Sequence, residues 1–173
     1  MPDRRPQSDE HAPHHQRYID LAATPILETL SDQCAKIERL IPAVPEGRAG
    51  FRYAPEKWTI REVVGHLSDA ERVYGYRTLA IARADPNPLP KYDPDGYVRE
   101  ASFDARTMAD LVVEFLALRE STIQFLRHLP AGAWSRSGTM GGHTLSVRAL
   151  AFISAGHVEQ HLAVLREHYG VEI

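Results

Sequence analysis

The chain has 173 residues, which fits one domain with a sizeable core, and its 43% hydrophobic and 25% charged content is typical of globular proteins. A formal net charge of -3 gives no electrostatic reason to expect a nucleic-acid partner. No apolar run approaches the roughly 18 residues of a membrane span, and the N-terminus lacks the apolar middle of a signal peptide, so we expect a cytoplasmic protein.

The N-terminal residues predict a flexible tail. Residues 1–17 are rich in Pro, Arg, Asp, Gln and His and have no periodic apolar positions. Residues 18–173 are then the folded domain. Histidines of the tail could bind a metal only weakly, because they have no rigid neighbours to hold them: His11, His14 and His15.

Two helices are predicted in the first half of the domain. One opens at Thr24-Pro25, where Thr can cap and Pro suits the first helical position, and it ends at Pro42. The second opens at Thr59, which forms a capping box with Glu62. Both helices carry apolar residues at helical spacing, including Ile26, Leu30 and Ile37 in the first and Ile60, Val63, Val64, Leu67, Ala70, Tyr74 and Ile81 in the second.

The next segment, DPNPLPKYDPDGYVREASF, predicts a long loop. Its four prolines are too many for a helix or a central strand. Loops of this length are uncommon in compact domains unless they have a function. We expect this one to cross over the end of the helices and to cover a pocket.

Two more helices complete the predicted fold. The third runs from about Ala105 to Leu129-Pro130, and the glycine-rich stretch PAGAWSRSGTMGGHT follows as a loop. Thr144 or Ser146 can cap the last helix, which runs to Tyr169. No pair of strands with an alternating pattern is visible, so the prediction is an all-α fold of four helices.

The stretch GHVEQH in the last helix suggests a metal site. His157 and His161 are four residues apart, which places their imidazoles about 40° apart around the helix and about 6 Å apart along it. Both follow the apolar stripe, and a metal would give two buried imidazoles a shared partner. His66 borders the stripe of the second helix and is the candidate third ligand. The alternative is that these are hydrogen-bonded core histidines.

A site of three histidine nitrogens with open positions lowers the pKa of bound water. Asp69, one turn after His66, is the candidate catalytic residue, which would orient a metal-bound water or act as a base, and a solvated aspartate is the alternative. The zincin motif is excluded, because Val158 stands where that motif has glutamate. Glu159 is expected to be a solvated surface charge. Three arginines either meet an anionic substrate or cover the surface and bridge helices: Arg72, Arg77 and Arg119.

The segments KWTIREVVGHLSDAERVYGYR and TLSVRALAFISAGHVEQHLAVLREHYG together resemble the DinB-like superfamily of metal-binding four-helix bundles, which includes the YfiT-like group. The resemblance spans nearly everything after the tail. It depends on the order of three features: a Trp-Thr pair that caps a helix, a histidine seven residues after that threonine, and a terminal His-x-x-x-His helix.

The resemblance implies a four-helix bundle with a long crossover loop between helices 2 and 3. It also implies a divalent ion, commonly nickel or zinc, bound by His66, His157 and His161, and a homodimer. Some relatives are thiol-dependent S-transferases or isomerases that use bacillithiol, mycothiol or glutathione, and others are described as metal-dependent hydrolases.

The hypothesis is therefore a metal-dependent enzyme, either a hydrolase or a thiol-dependent S-transferase, that acts on a small molecule. In the first alternative the chain is not an enzyme but a metal-binding protein that acts in a stress response or by interaction with other proteins. In the second it is a metal-free bundle that only self-associates.

Overall fold

A computed structural model describes residues 4–173, and most of them are helical. The helices are α1 (Gln16–Leu21), α2 (Ile26–Glu38), α3 (Leu40–Ala43), α4 (Ile60–Ala82), α5 (Pro94–Glu100), α6 (Met108–Arg127) and α7 (Val147–Glu167). The long helices α6 and α7 each pack against both α2 and α4. These four are the four helices predicted from the sequence. Among residues 4–173, every helix is too short or too polar to span a membrane.

Side-chain hydrogen bonds cap the N-termini of three of the four long helices. The Thr59 hydroxyl accepts from the backbone N–H of Glu62 at 3.1 Å, and the Glu62 carboxylate accepts from the N–H of Thr59 at 2.6 Å. This is the predicted capping box. Ser146 caps α7 by accepting from the N–H of Ala149 at 3.0 Å. Thr107 caps α6, which therefore begins slightly later than predicted.

The connection between α4 and α6 contains a helix that the sequence analysis did not expect. Helix α5 has Pro94 at its start, where the missing N–H of proline costs no hydrogen bond. The prediction that this proline-rich segment excludes a helix was wrong, because the position of a proline matters more than the number of prolines. That the segment crosses over the end of the bundle stays a prediction.

A short hairpin lies between α6 and α7. Strands β1 (Ser137–Met140) and β2 (His143–Ser146) pair in antiparallel register. Gly141 and Gly142 join them with φ of 59° and 83°, the left-handed conformations that tight hairpin turns require. The prediction of no paired strands was wrong, because four-residue strands are too short to show a clear alternation. The N–H of Leu89 donates to the carbonyl of Thr139 at 3.0 Å, which joins the hairpin to the proline-rich connection.

Part of the predicted tail packs on the bundle. Glu10 forms an ion pair with Arg148 at 2.7 Å and accepts a hydrogen bond from Ser146 at 2.7 Å. Arg5 donates to the carbonyl oxygen of Ile19 at 2.7 Å. Residues 1–3 of that predicted tail lie outside the described residues. The predicted boundary at residue 18, and the mobility of the residues before it, stay predictions to be measured.

A buried polar network links the four long helices. The guanidinium of Arg119 on α6 donates to Glu71 on α4 at 3.0 Å and to Gln33 on α2 at 2.8 Å. Ser154 on α7 donates to the same Glu71 carboxylate at 2.9 Å. Arg119 is thus a bridge between helices, the second of the two roles considered for it. Apolar clusters fill the space on either side of the network.

Candidate metal centre

Three histidines from two helices meet inside the bundle. His66 lies on α4, and His157 and His161 lie one turn apart on α7. One ring nitrogen from each lies within 4.8 Å of the other two, and the Nε2 atoms of His66 and His157 are 3.1 Å apart. Within residues 4–173, this is the one group of metal-binding side chains with such spacing. The structure therefore brings together the three residues that the sequence analysis selected.

A glycine precedes two of these histidines and allows another segment to cover the site. A Cβ at Gly65 would lie 2.4 Å from the ring of Phe103, which therefore packs on the backbone next to His66. A Cβ at Gly156 would lie 1.7 Å from the carbonyl oxygen of Tyr18. Only a residue without a Cβ permits these approaches. The two glycines thus contribute to the burial of the histidines.

The histidines are neutral at neutral pH. Burial lowers the pKa of His66 to about 3 and that of His161 to about 4, and it lowers the pKa of His157 well below the ordinary value. Neutral imidazole is the form that binds metals. The Nδ1 atom of His161 is buried and has no hydrogen-bond partner among the described residues. This donor set fits a divalent metal ion, since imidazole binds zinc, copper, iron and nickel alike.

Aromatic side chains hold the imidazoles in place. The hydroxyl of Tyr92 lies 3.3 Å from Nδ1 of His66. A proton on that nitrogen, directed at the hydroxyl oxygen, leaves the lone pair of Nε2 free for an ion. The centroid of the Trp58 ring lies 4.7 Å from that of the His66 ring and 6.3 Å from that of the His161 ring. The Trp58 and His161 rings are nearly parallel. Trp58 therefore positions two of the three candidate ligands.

The histidines line a cavity of about 650 Å³, a volume suited to a small molecule. Its cations are Arg17, Arg77 and Lys91, and no carboxylate from the described residues lines it. The cavity is therefore electropositive. The proline-rich connection contributes Lys91, Tyr92 and Pro94, and the hairpin contributes Met140, Gly141 and His143. The connection thus lines the cavity, and the expectation that it covers a pocket stays a prediction.

The N-terminal segment also contributes to the cavity, which was not predicted from the sequence. His14, His15, Arg17 and Tyr18 all line the cavity. His15 is buried, and burial, followed by the neighbouring His14, lowers its pKa to about 4. Its Nδ1 has no hydrogen-bond partner among residues 4–173. No apolar periodicity marks this segment, so its histidines are the only sign in the sequence that it contributes to a site.

The structure places Asp69 elsewhere. Its carboxylate is half-buried and lines a neighbouring cavity together with Arg72 and Tyr97. The distance from Oδ1 of Asp69 to Nη1 of Arg72 is 3.8 Å. Burial raises the pKa of Asp69, and Arg72 partly opposes this. Asp69 is not among the residues that line the histidine cavity. Its catalytic role stays a prediction.

Glu159 is not the solvated charge that the sequence analysis expected. Its carboxylate accepts hydrogen bonds from Lys36 at 2.7 Å and from Gln33 at 2.9 Å, and its side chain is only 16% exposed. That prediction was wrong, because it considered the direction of the side chain on α7 but not the neighbouring helix α2. Glu159 instead ties α7 to α2 beside the histidines.

Comparisons with known proteins agree with this fold. The sequence model of the DinB superfamily matches residues 29–165. Among solved structures, the chain is similar to YfiT from Bacillus subtilis, described as a probable metal-dependent hydrolase with an unusual four-helix bundle topology. The TM-score is 0.74 at 16% identity, over 98% of this chain and 95% of YfiT.

The chain is also similar to a mycothiol-dependent maleylpyruvate isomerase, with a TM-score of 0.68 at 13% identity. That match covers 84% of this chain but only 61% of the isomerase. At these identities, both similarities show the fold alone. No curated protein matches the sequence.

Proposed function

This chain belongs to the DinB superfamily, and from that premise we propose that it is an enzyme that uses a divalent ion, zinc or nickel. His66, His157 and His161 would hold the ion. The observation that supports this most is that three neutral imidazoles, each with a donor nitrogen within 4.8 Å of the others, line one cavity. Such an ion, when bound, favours the ionised form of a water molecule or a thiol near neutral pH.

Thiol-dependent transfer is the first candidate reaction. The cavity offers no carboxylate from the described residues to remove a proton from water, whereas a thiol is reactive once it has become a thiolate. The thiol would be a small cosubstrate. Cys34, the single cysteine, lies on α2 outside the cavity, and burial raises the pKa of its thiol.

Hydrolysis is the second candidate, and the match with YfiT over nearly the whole chain favours it. In hydrolysis, with no carboxylate in the cavity wall, the proton would pass to Nδ1 of His15, which is free of partners among the described residues but is a weak base because its pKa is lowered. Tyr92 would keep the proton of His66 on Nδ1. The N-terminal segment, the connection and the hairpin would exclude bulk water from the cavity.

The test begins with protein purified without an affinity tag and analysed for bound metal. Ester, amide and thiol-conjugation substrates are then assayed with and without added thiol. We expect about one ion per chain and turnover that is lost in His157→Ala, while circular dichroism shows a folded protein. His128→Ala is the matched control, because His128 is exposed and bonds the carbonyl of Gln124.

Each alternative has its own outcome in this experiment. Turnover only with thiol supports transfer, and turnover without thiol supports hydrolysis. Stoichiometric metal whose removal unfolds the protein, with no turnover, supports the non-enzymatic metal-binding alternative. No stoichiometric metal supports the metal-free bundle. The homodimer and the cytoplasmic location stay predictions, and light scattering during gel filtration tests the homodimer.

A further inference from the structure

Arg77 is a buried arginine without a counter-ion. Its residue is only 5% exposed, and it forms no ion pair with any residue that the structure describes. One guanidinium nitrogen donates to the carbonyl oxygen of Pro90 at 2.9 Å, while Nε has no partner. The group keeps its charge at neutral pH. Arg77 thus retains hydrogen-bond donors and a positive charge that no described residue balances.

The other buried arginines in the described part of the chain are paired. Arg119 bonds Glu71 at 3.0 Å, and Arg148 bonds Glu10 through two nitrogens at 2.7 Å and 3.1 Å. A buried charge is costly unless an opposite charge accompanies it. Arg77 differs from Arg119 and Arg148 in that it lines the histidine cavity. Its missing partner can therefore be a ligand.

The other charged side chains of the cavity wall are also positive. Arg17 and Lys91 also line it, and no carboxylate from residues 4–173 does. The positive charge of Arg77 contributes to the lowered pKa of His15, after burial and the neighbouring histidines. Because like charges repel and opposite charges attract, this wall attracts anions and repels cations.

Arg77 also lies at a suitable place along α4. It follows His66 by eleven residues, which corresponds to about three turns and about 16 Å along the helix axis. Both residues line the same cavity. A ligand anchored at Arg77 would therefore extend along α4 toward the histidines, with its anionic group at one end.

We propose that Arg77 binds an oxyanion group, a carboxylate or a phosphate, of the substrate or cosubstrate in the histidine cavity. A guanidinium can donate two parallel hydrogen bonds to either group. The identification of this anion as a substrate rests on the proposed function. The binding of an anion at Arg77 does not, since it needs neither metal nor turnover.

The test is calorimetric titration of the full chain, with and without zinc, using three probes. Succinate and inorganic phosphate carry the oxyanion, and succinamide is the neutral counterpart of succinate. We expect the two anions to bind more tightly than succinamide, and Arg77→Gln to weaken anion binding by about 10- to 100-fold. Arg77→Lys keeps the charge but loses the paired geometry, so its affinity should be intermediate.

Arg72→Gln is the matched control. Arg72 is on the same helix but is half-exposed, pairs with Glu114 and lines only the neighbouring cavity. Its variant should bind the anions as the unmodified protein does. A purely structural role for Arg77, through Pro90, would lower the melting temperature of Arg77→Gln while leaving the preference for succinate over succinamide unchanged.

The proposal is overturned if Arg77→Gln binds succinate and phosphate as tightly as the unmodified chain, or if succinate binds no better than succinamide. Anion binding that needs zinc and ignores Arg77 also overturns it, because the ion alone then holds the anion. Arg77-dependent binding in the metal-free protein supports it even where no turnover is found. The relative affinity of succinate and phosphate shows which oxyanion the site prefers.

Discussion

The Nε2 atoms of His66 and His157 lie 3.1 Å apart across the contact between α4 and α7. A hydrogen bond at this distance needs one nitrogen that donates and one that accepts. The two rings therefore cannot both carry a proton on Nε2 without repulsion. At least one of the two rings must therefore be neutral, and protonation of both rings in acid should weaken the fold.

We expect the metal-free protein to lose stability as the pH falls below 6.5. The pKa of His66 is lowered to about 3, and those of His161 and His15 are lowered to about 4. Below pH 6.5 the unfolded chain binds more protons than the folded chain. The stability that the neutral histidines contribute is therefore fully present above pH 6.5. It is lost progressively as the pH falls from 6.5 to the lowered pKa values of the folded chain. Each of these histidines should lower the free energy of unfolding by about 2 kcal/mol between pH 7 and pH 5.

Urea denaturation at pH 7 and at pH 5 measures this loss. The variant His15→Gln tests the part of this loss that His15 contributes, because His15 is buried but is not a candidate metal ligand. The variant should lose less stability between the two pH values than the unmodified chain. An unfolding free energy that is equal at both pH values would contradict the neutral, buried state of these histidines.

Gly156→Ala should detach the N-terminal segment. The new Cβ would lie 1.7 Å from the carbonyl oxygen of Tyr18, and overpacking of this kind costs about 1–3 kcal/mol. Hydrogen exchange should rise in residues 4–22. The control is Gly75→Ala on α4, where no atom lies within 4 Å and alanine should stabilise the helix by about 0.5–1 kcal/mol. Unchanged exchange in Gly156→Ala would show that the segment does not pack this way.

Arg119→Met should be strongly destabilising, because it leaves the buried Glu71 without its counter-ion. We expect a loss of about 3–5 kcal/mol in the free energy of unfolding. Arg119→Met with Glu71→Leu should recover most of that loss. Arg72→Met, which breaks a partly exposed pair with Glu114, should cost less than about 1 kcal/mol. Additive effects of the two core substitutions would argue against a coupled pair.

Asp69→Asn tests the predicted catalytic base. The carboxylate lines the neighbouring cavity and not the histidine cavity, so we expect the variant to keep any activity found above within about twofold, since loss of a general base costs about 100-fold or more. The measurement is kcat and its pH profile with the substrate identified in the panels. A large fall in kcat with a changed profile would establish Asp69 as the base.

Much of the fold follows from local features of the sequence. The capping box of Thr59 and Glu62 and the cap at Ser146 mark helix starts, because a cap involves residues only three apart. Short elements were less predictable. The hairpin around Gly141 and the helix that starts at Pro94 are too brief for a periodic pattern, and contacts with the rest of the chain stabilise them.

That His157 and His161 share a helix face follows from their spacing alone, because helical geometry sets the relation of residues four apart. The contact of His66 with this pair, the place of His15 in the cavity wall and the ion pair of Glu159 with Lys36 arise from the folded chain. It also left Arg77 without a counter-ion among the described residues. The physical reason is that burial and pairing depend on segments far apart in the chain, whose approach is set by packing and not by local spacing.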